Sequence, residues 1–326
     1  MNNHIFIVCS PLQLKVSLAI KRQYDGDRFH AIYLKTKAGV KPYITSNLAR
    51  HFDTHCVANM DYDFLNLRKI FSYLEKIVNA GDFIYLANAN DLTVQYILSR
   101  FNNELYISTF DDGILNINTI VDVNYKNKEK KKLKYLISRV LFKNTFSIKK
   151  IIERSTQHFT ILDKNRTLNV KGKVIKLDIF EHRIIDSNHA ANKVMNVFVG
   201  SRFKDILAVK NNQNLSLLTE RLYSLNKKFN NLVYLRHPRE MADEKFLMQE
   251  VYPDSISEDY IYNLAAQGFT VNVVGFASTC QLNVMNLPNV NIILLKTDLI
   301  RGDILDSFSL FDKHDSVSIY NLDARE

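Results

Sequence analysis

The chain has no cysteine cluster, no glycine-rich phosphate signature and no apolar run long enough to cross a membrane. Its three cysteines, Cys9, Cys56 and Cys280, are odd in number and lack CxxC or metal-finger spacing. That argues against a disulfide framework and for a reducing compartment. Neither GxxxxGK[ST] nor GxGxxG occurs, which disfavours nucleoside triphosphates and dinucleotides as ligands. No uncharged stretch approaches the ~20 residues of a membrane span. The opening run from His4 to Cys9 has no basic lead and is too short for a signal peptide. A cytoplasmic protein is expected. Repeats and low-complexity segments are missing, as are helix-turn-helix, zinc-finger and RNP-type signatures, so no nucleic acid is expected as a partner.

What is present fits a soluble globular protein of 326 residues, more than one hydrophobic core usually organises, so two domains are the default. The net charge of +9 is uneven. From Lys126 to Lys150 ten Lys/Arg face a single acid, Glu129, while Leu133, Leu136, Ile137, Val140 and Leu141 recur at helical spacing. This basic amphipathic helix either packs on the core with a solvated outer face or is drawn to an anionic membrane surface, at ~1 kcal/mol per basic residue near the headgroups.

Short apolar strands alternate with amphipathic helices. Strands are expected at His4 to Cys9, His30 to Leu34, Phe83 to Ala87 and Glu104 to Phe110, with helices at Pro11 to Tyr24, Phe64 to Val78 and Leu92 to Arg100. A polar stretch from Asp178 to Asn192 interrupts the pattern. It resumes with strands at Val194 to Val199, Leu232 to Leu235, Thr270 to Val274 and Val290 to Leu295, and helices at Leu215 to Leu225, Glu258 to Ala266 and Cys280 to Asn286. The fold class is α/β, two Rossmann-like doubly wound domains facing a cleft: residues 1–180, a linker over 181–193, and residues 194–326.

Ligands of such sheets bind beyond the carboxyl ends of the strands. Asp111-Asp112-Gly113, Gly200-Ser201, Arg236-His237-Pro238 and Gly275-Phe276-Ala277-Ser278-Thr279 all fall there. A carboxylate pair and a histidine supply the base and acid that a group transfer needs. Each piece also has a plainer reading: Asp-Asp-Gly is a good turn, and a single histidine is commonly structural. The glycines with Ser278 and Thr279 suit a phosphate, or simply cap a helix. Asp25-Gly26-Asp27 and Asp61-Tyr62-Asp63 have the Asp-x-Asp form that holds a divalent ion in some sugar transferases, but read more simply as turn and helix-start residues.

Taken in order, Asp111-Asp112-Gly113, Arg236-His237-Pro238 and Ser278-Thr279 resemble the acidic-acidic-Gly, His-Pro and Ser/Ser-Thr motifs of bacterial sialyltransferases. The opening Ile5-Phe6-Ile7-Val8-Cys9-Ser10-Pro11-Leu12-Gln13 is similar to the start of glycosyltransferase family 52. The resemblance implies a GT-B fold whose C-terminal domain holds CMP-sialic acid, with no metal and no other cofactor. It implies Asp112 as general base beside Asp111, and His237 as general acid or phosphate partner. Ser278 and Thr279 would hold the CMP phosphate, Glu258 the ribose, and Gly200, Ser201, Arg236, Pro238 and Gly275 would line the donor site. The implied reaction inverts the anomeric centre and places sialic acid on a terminal galactose of a lipooligosaccharide or capsule glycan, with an α2,3 linkage. The other readings are a GT-B enzyme using a different sugar nucleotide, and a basic lipid- or nucleic-acid-binding protein without catalysis. A homodimer is left open.

Overall fold

Strands made almost wholly of apolar residues must be covered on both faces, and that is the condition under which parallel sheets form. In the computed structural model, which describes residues 1–35, 41–60, 64–102, 104–111, 145–162, 172–180, 193–237, 249–251, 253, 255–312 and 314–324, every residue of β1 (Asn3–Val8) is buried. The chain divides into two compact units, Met1–Ile179 and Phe180–Glu326. Phe180 belongs to the second, its ring stacked on Tyr262 at 5.1 Å. Residues 181–192 of the expected linker lie outside the described residues.

Unit 1 adds β2 (Arg28–Lys35), β3 (Thr54–Asn59), β4 (Asp82–Leu86), β5 (Leu105–Phe110), β6 (Ser155–Thr160) and β7 (Lys173–Lys176). Its helices are α1 (Pro11–Lys21), α2 (Pro42–His51), α3 (Phe64–Leu74), α4 (Leu92–Arg100) and α5 (Ile148–Arg154). The seven strands run in the order β3-β2-β1-β4-β5-β6-β7, every pair parallel. One face of the sheet presents Ile5, Ile7, Ile32, Leu34, Ile84, Leu86 and Ile107 to Ile70 and Leu74 of α3 and Val94 and Ile97 of α4.

Unit 2 contains β8 (Val194–Val199), β9 (Leu232–Leu235), β10 (Gln249–Val251), β11 (Thr270–Gly275), β12 (Val290–Lys296) and β13 (Val317–Asn321). Its helices are α6 (Phe203–Ile206), α7 (Asn212–Lys228), α8 (Ser257–Ala266), α9 (Thr279–Val284) and α10 (Gly302–Asp306). The order is β10-β9-β8-β11-β12-β13, again all parallel. Helix α7 buries Leu218, Leu222 and Leu225, a seam at i, i+4 and i+7, against Phe198, Tyr234, Val274 and Leu295. Truncating Leu222 to Ala would cost about 2–5 kcal/mol, as buried leucines do.

Counting from its own first strand, unit 2 runs 3-2-1-4-5-6, the doubly wound order, and unit 1 runs the same order with a seventh strand added beyond the sixth. Each sheet therefore reverses direction between its first and fourth strands: β1 and β4 in unit 1, β8 and β11 in unit 2. Loops leaving the carboxyl ends of those strands part to opposite faces and open a crevice.

Candidate active site

The loops at the reversal of unit 2 collect the glycine and hydroxyl motifs. Gly200 follows β8 directly, and its N–H donates to the Leu235 carbonyl of β9 (2.8 Å). A Cβ at Gly200 would sit 2.8 Å from the His237 nitrogen and from the Tyr234 hydroxyl oxygen. Only glycine lets the ends of β8 and β9 approach this closely, and His237 leaves the sheet at that contact. Neighbouring Arg236 pairs with Glu250 of β10, 3.7 Å away. Ser201 is half-buried, and Arg202, beside it, pairs with Asp205 at 3.0 Å. Pro238 and Arg239 lie outside the described residues.

Gly275 closes β11, and the loop after it turns through Ala277, whose φ is +49°. A non-glycine residue in the left-handed region costs free energy and marks a turn held by its surroundings. The holding group is Gln281. Its Oε1 accepts the Ser278 N–H (3.0 Å), and its Nε2 donates to the carbonyls of Val273 (3.1 Å) and Ile293 (3.2 Å). The Ser278 hydroxyl in return accepts the Gln281 N–H (3.2 Å), completing a capping box on α9. Ser278 thus fills the capping role, and Thr279 is the first residue of the helix. Gln281 was not among the residues that sequence reading singled out, although Ser-x-x-Gln before an apolar run is its signature.

Glu258 lies in the first turn of α8, 7% exposed, and accepts a hydrogen bond from Asn283 Nδ2 of α9 (3.1 Å). It thereby ties α8 to the helix that carries the hydroxyl pair. Burial raises the Cys280 thiol well above its ordinary range, and Glu258 and Asp259 push it further the same way.

In unit 1, Asp111 follows β5, while Asp112 and Gly113 lie outside the described residues. Asp111 is 1% exposed, and both its carboxylate oxygens face β6. Oδ1 meets His158 Nε2 (3.1 Å), and Oδ2 accepts from the Thr160 hydroxyl (2.7 Å) and the Ile161 N–H (2.9 Å). Asp111 is thus fully bonded within unit 1 and turned away from solvent. His158 had no sequence signal beyond a histidine inside Ser155-Thr156-Gln157-His158-Phe159-Thr160, a stretch too polar to read as a strand.

Asp91 ends the loop after β4 and accepts from the Thr93 (2.8 Å) and Val94 (3.2 Å) amides at the start of α4. Burial raises its carboxyl above the usual range, the amide bonds opposing. Of the Asp-x-Asp pairs, Asp25-Gly26-Asp27 is a turn: Gly26 has a φ of +79°, and Asp27 accepts from the Asn2 N–H (2.8 Å) and pairs with His4 (3.0 Å). Asp61-Tyr62-Asp63 lies outside the described residues. His51 and His55 stand four apart, but one closes α2 and the other lies on β3, so they share no helix face. Among the described residues there is no group of three or more His, Cys, Asp or Glu side chains able to hold a metal ion.

The family profile described as glycosyltransferase family 52 matches residues 27–299. The chain belongs to glycosyltransferase family 52. It is 27% identical over 99% of its length to a CMP-N-acetylneuraminate:beta-galactoside alpha-2,3-sialyltransferase of Pasteurella multocida, the match spanning 100% of that protein. It is 23% identical to an N-acetyllactosaminide alpha-2,3-sialyltransferase of Neisseria meningitidis, over 87% of this chain and 76% of the other. In structure it superposes on the GT-B domain of a sialyltransferase from Photobacterium damselae with a TM-score of 0.52 at 14% identity, covering 98% of this chain and 100% of that one. The family 52 protein is therefore a glycosyltransferase of GT-B fold. No helix among the described residues is long and apolar enough to cross a membrane.

Proposed function

We propose that the protein moves sialic acid from CMP-sialic acid to a terminal galactose of a bacterial lipooligosaccharide or capsule glycan, forming an α2,3 linkage with inversion. The observation that carries this reading is the family 52 match over residues 27–299, supported by two relatives whose names specify α2,3 sialyl transfer.

In this reading an acceptor hydroxyl loses its proton to Asp112 as its oxygen attacks the anomeric carbon. The bond to the CMP phosphate breaks, and the departing monophosphate gains a negative charge. His237 donates a proton to it, while Ser278, Thr279 and the amides of the Gly275 loop offer hydrogen bonds to its oxygens. Gly200, Ser201, Arg236 and Pro238 shape the donor site around His237, and Glu258 contacts the ribose. Neutralising a monophosphate in this way leaves no step that requires a divalent ion, so the reaction is metal-independent. The basic segment 126–150 holds the enzyme on the inner face of an anionic membrane, and a homodimer is compatible with this placement.

A donor screen tests the assignment. Transfer to lactose from CMP-sialic acid, UDP-glucose and UDP-galactose is measured in EDTA against a no-enzyme control. Transfer from CMP-sialic acid alone is expected; turnover of a UDP-sugar instead would reassign the donor. Activity that needs added metal would remove the metal-free route, and no turnover of any donor would favour a binding role.

A further inference from the structure

Burial commits Asp111 to a polar chain that links β5 to β6. Thr109 Oγ1 lies 2.9 Å from His158 Nδ1 and 3.1 Å from Ser155 Oγ, whose proton goes to the Gln157 carbonyl (2.8 Å). The single Thr109 proton can serve Ser155 or Nδ1 but not both; given to Nδ1, it leaves the Ser155 contact without a hydrogen bond, and the imidazole presents its Nε2–H to Asp111 Oδ1. This tautomer, assigned from the network, gives the ring an acceptor partner on one side and a donor partner on the other. His158 is 2% exposed and lies on β6. The Asp111 N–H continues the parallel ladder by donating to the Phe159 carbonyl (3.2 Å). The backbone of Asp111 is thus fastened to β6 through Phe159, and its side chain to β6 and the residue after it through His158, Thr160 and Ile161.

We infer that His158 is a positioning residue for sialyl transfer: it orients the Asp111 carboxylate and so fixes the point from which the chain runs on to Asp112. The inference rests on the reading of Asp112 as general base, and the experiment below separates the two. A carboxylate with one oxygen bonded to a ring N–H and the other to a hydroxyl and an amide cannot rotate without breaking a bond, and the Asp111 N–H is held to the Phe159 carbonyl as well. A base displaced by about 1 Å loses on the order of 10²-fold in rate, so a buried ring that never meets the substrate can still set kcat.

The amide nitrogen of glutamine falls near the imidazole Nε2 position and that of asparagine near Nδ1. His158→Gln therefore keeps a donor towards Asp111, and His158→Asn withdraws it. Initial rates of sialyl transfer to lactose, CMP affinity by calorimetry and melting temperature are to be measured for both variants and for Asp111→Asn, Thr160→Val, Asp112→Ala and the pairs among them. His158→Asn is expected to lower kcat about 10- to 100-fold, with donor KM and CMP affinity within about twofold of wild type, and His158→Gln to recover most of the loss. Thr160→Val leaves the ring untouched and removes another Asp111 bond; it should lower kcat by a smaller factor in the same direction. His158→Asn combined with Asp111→Asn should be no slower than the slower single variant, because both break one contact. Wild-type kcat in His158→Asn and Thr160→Val, equal loss in the Asn and Gln variants, or additive loss in the double variant would each overturn the inference. Wild-type kcat in Asp112→Ala would overturn the base assignment instead, whatever the coupling between positions 111 and 158.

Discussion

Both sheets reverse strand order between their first and fourth strands, and the two reversals are built from different materials. In unit 1 the helix after β1 starts at Ser10-Pro11-Leu12-Gln13: the Ser10 hydroxyl accepts the Gln13 N–H (3.2 Å) and Gln13 Oε1 accepts the Cys9 N–H (2.7 Å). In unit 2 the same Ser-x-x-Gln device follows the fourth strand, as Ser278-Thr279-Cys280-Gln281. The difference lies at the second position. Pro11 has no N–H to give, whereas Thr279 keeps its amide and adds a hydroxyl. Unit 2 also has Gly200 directly after its first strand, where unit 1 has Cys9, and closes its fourth strand with Gly275, where unit 1 has Leu86; the Cβ that each glycine lacks would meet His237 and Gln281 respectively. An anionic phosphate suits the arrangement of unit 2, and a neutral sugar hydroxyl beside carboxylates suits that of unit 1.

The largest expected effects break that division outright. Asp112→Ala should lower kcat by about 10²- to 10⁴-fold while CMP affinity, which the proposed function assigns to unit 2, stays near wild type. His237→Ala should cost a similar factor with CMP-sialic acid and much less with a donor whose leaving group needs no proton. Steady-state rates with both donors decide the point. A large rise in the CMP dissociation constant on removal of Asp112 would mean that the units do not split acceptor and donor work.

Next in size is the hydroxyl pair. Replacing Ser278 and Thr279 together by alanine should weaken CMP binding by about 1.5–3 kcal/mol for each charge-assisted hydrogen bond lost. Ser10→Ala removes the matching cap in unit 1 and should lower stability by about 0.5–2 kcal/mol without touching CMP affinity. Calorimetry and melting on the two variants separate the roles, and equal CMP affinity in both would leave Ser278 and Thr279 as caps alone.

The contrast between the units also explains which parts were legible in sequence. The strands at the centres of the sheets, β1, β2, β4, β5, β8, β9, β11 and β12, stand out because each is a mainly apolar run bounded by turn residues. The missed strands β3, β7, β10 and β13 are the four edges of the two sheets, short or polar as edge strands are. The fifth, β6, is interior, but its buried His158 and Thr160 bond Asp111 and its buried Ser155 bonds Thr109, which erases the apolar alternation that marks a strand. The strand-end positions of Asp111, Gly200, His237 and Gly275 were readable from turn chemistry and pattern. His158 and Gln281 were not singled out, because their partners lie 47 residues away in one case and on two neighbouring strands in the other.

A smaller effect tests the role of glycine in the contrast. Gly200→Ala forces a Cβ to within 2.8 Å of the His237 nitrogen and 2.9 Å of the Leu235 carbonyl oxygen, which are backbone atoms and cannot swing aside. A stability loss of about 1–3 kcal/mol and a raised donor KM are expected, since His237 must shift with its backbone. Cys9→Ala, at the matching position in unit 1, should leave the donor KM unchanged. A donor KM unaltered by Gly200→Ala would show that the approach of β8 to β9 serves packing alone.

The smallest effect concerns the polar groups inside the sheets. Unit 2 bridges its central strands with neutral amides: Asn291 donates to Asn272 (3.0 Å) and Asn272 to Asn196 (2.8 Å). Unit 1 uses titratable groups in comparable places. His4 bonds Tyr85 (2.8 Å) and Asp27 (3.0 Å), and His30 bonds Thr54 (2.8 Å) and Asn3 (3.2 Å). Burial lowers the pKa of both rings below 6.5, against the opposing pull of Asp27 and Asp82 on His4 and of Asp53 and Asp82 on His30. The unfolded chain therefore binds more protons than the folded one as pH falls below about 6.5, and stability drops through that window towards the lowered folded values. Above about 6.5 both rings are neutral in either state and contribute no slope. Melting temperature measured from pH 8 to pH 5 should fall on the acid side, and the fall should flatten in a His4→Gln, His30→Gln double variant. The same replacements leave the amide ladder of unit 2 untouched, so an acid slope as steep as that of wild type would move the pH sensitivity out of the sheet of unit 1.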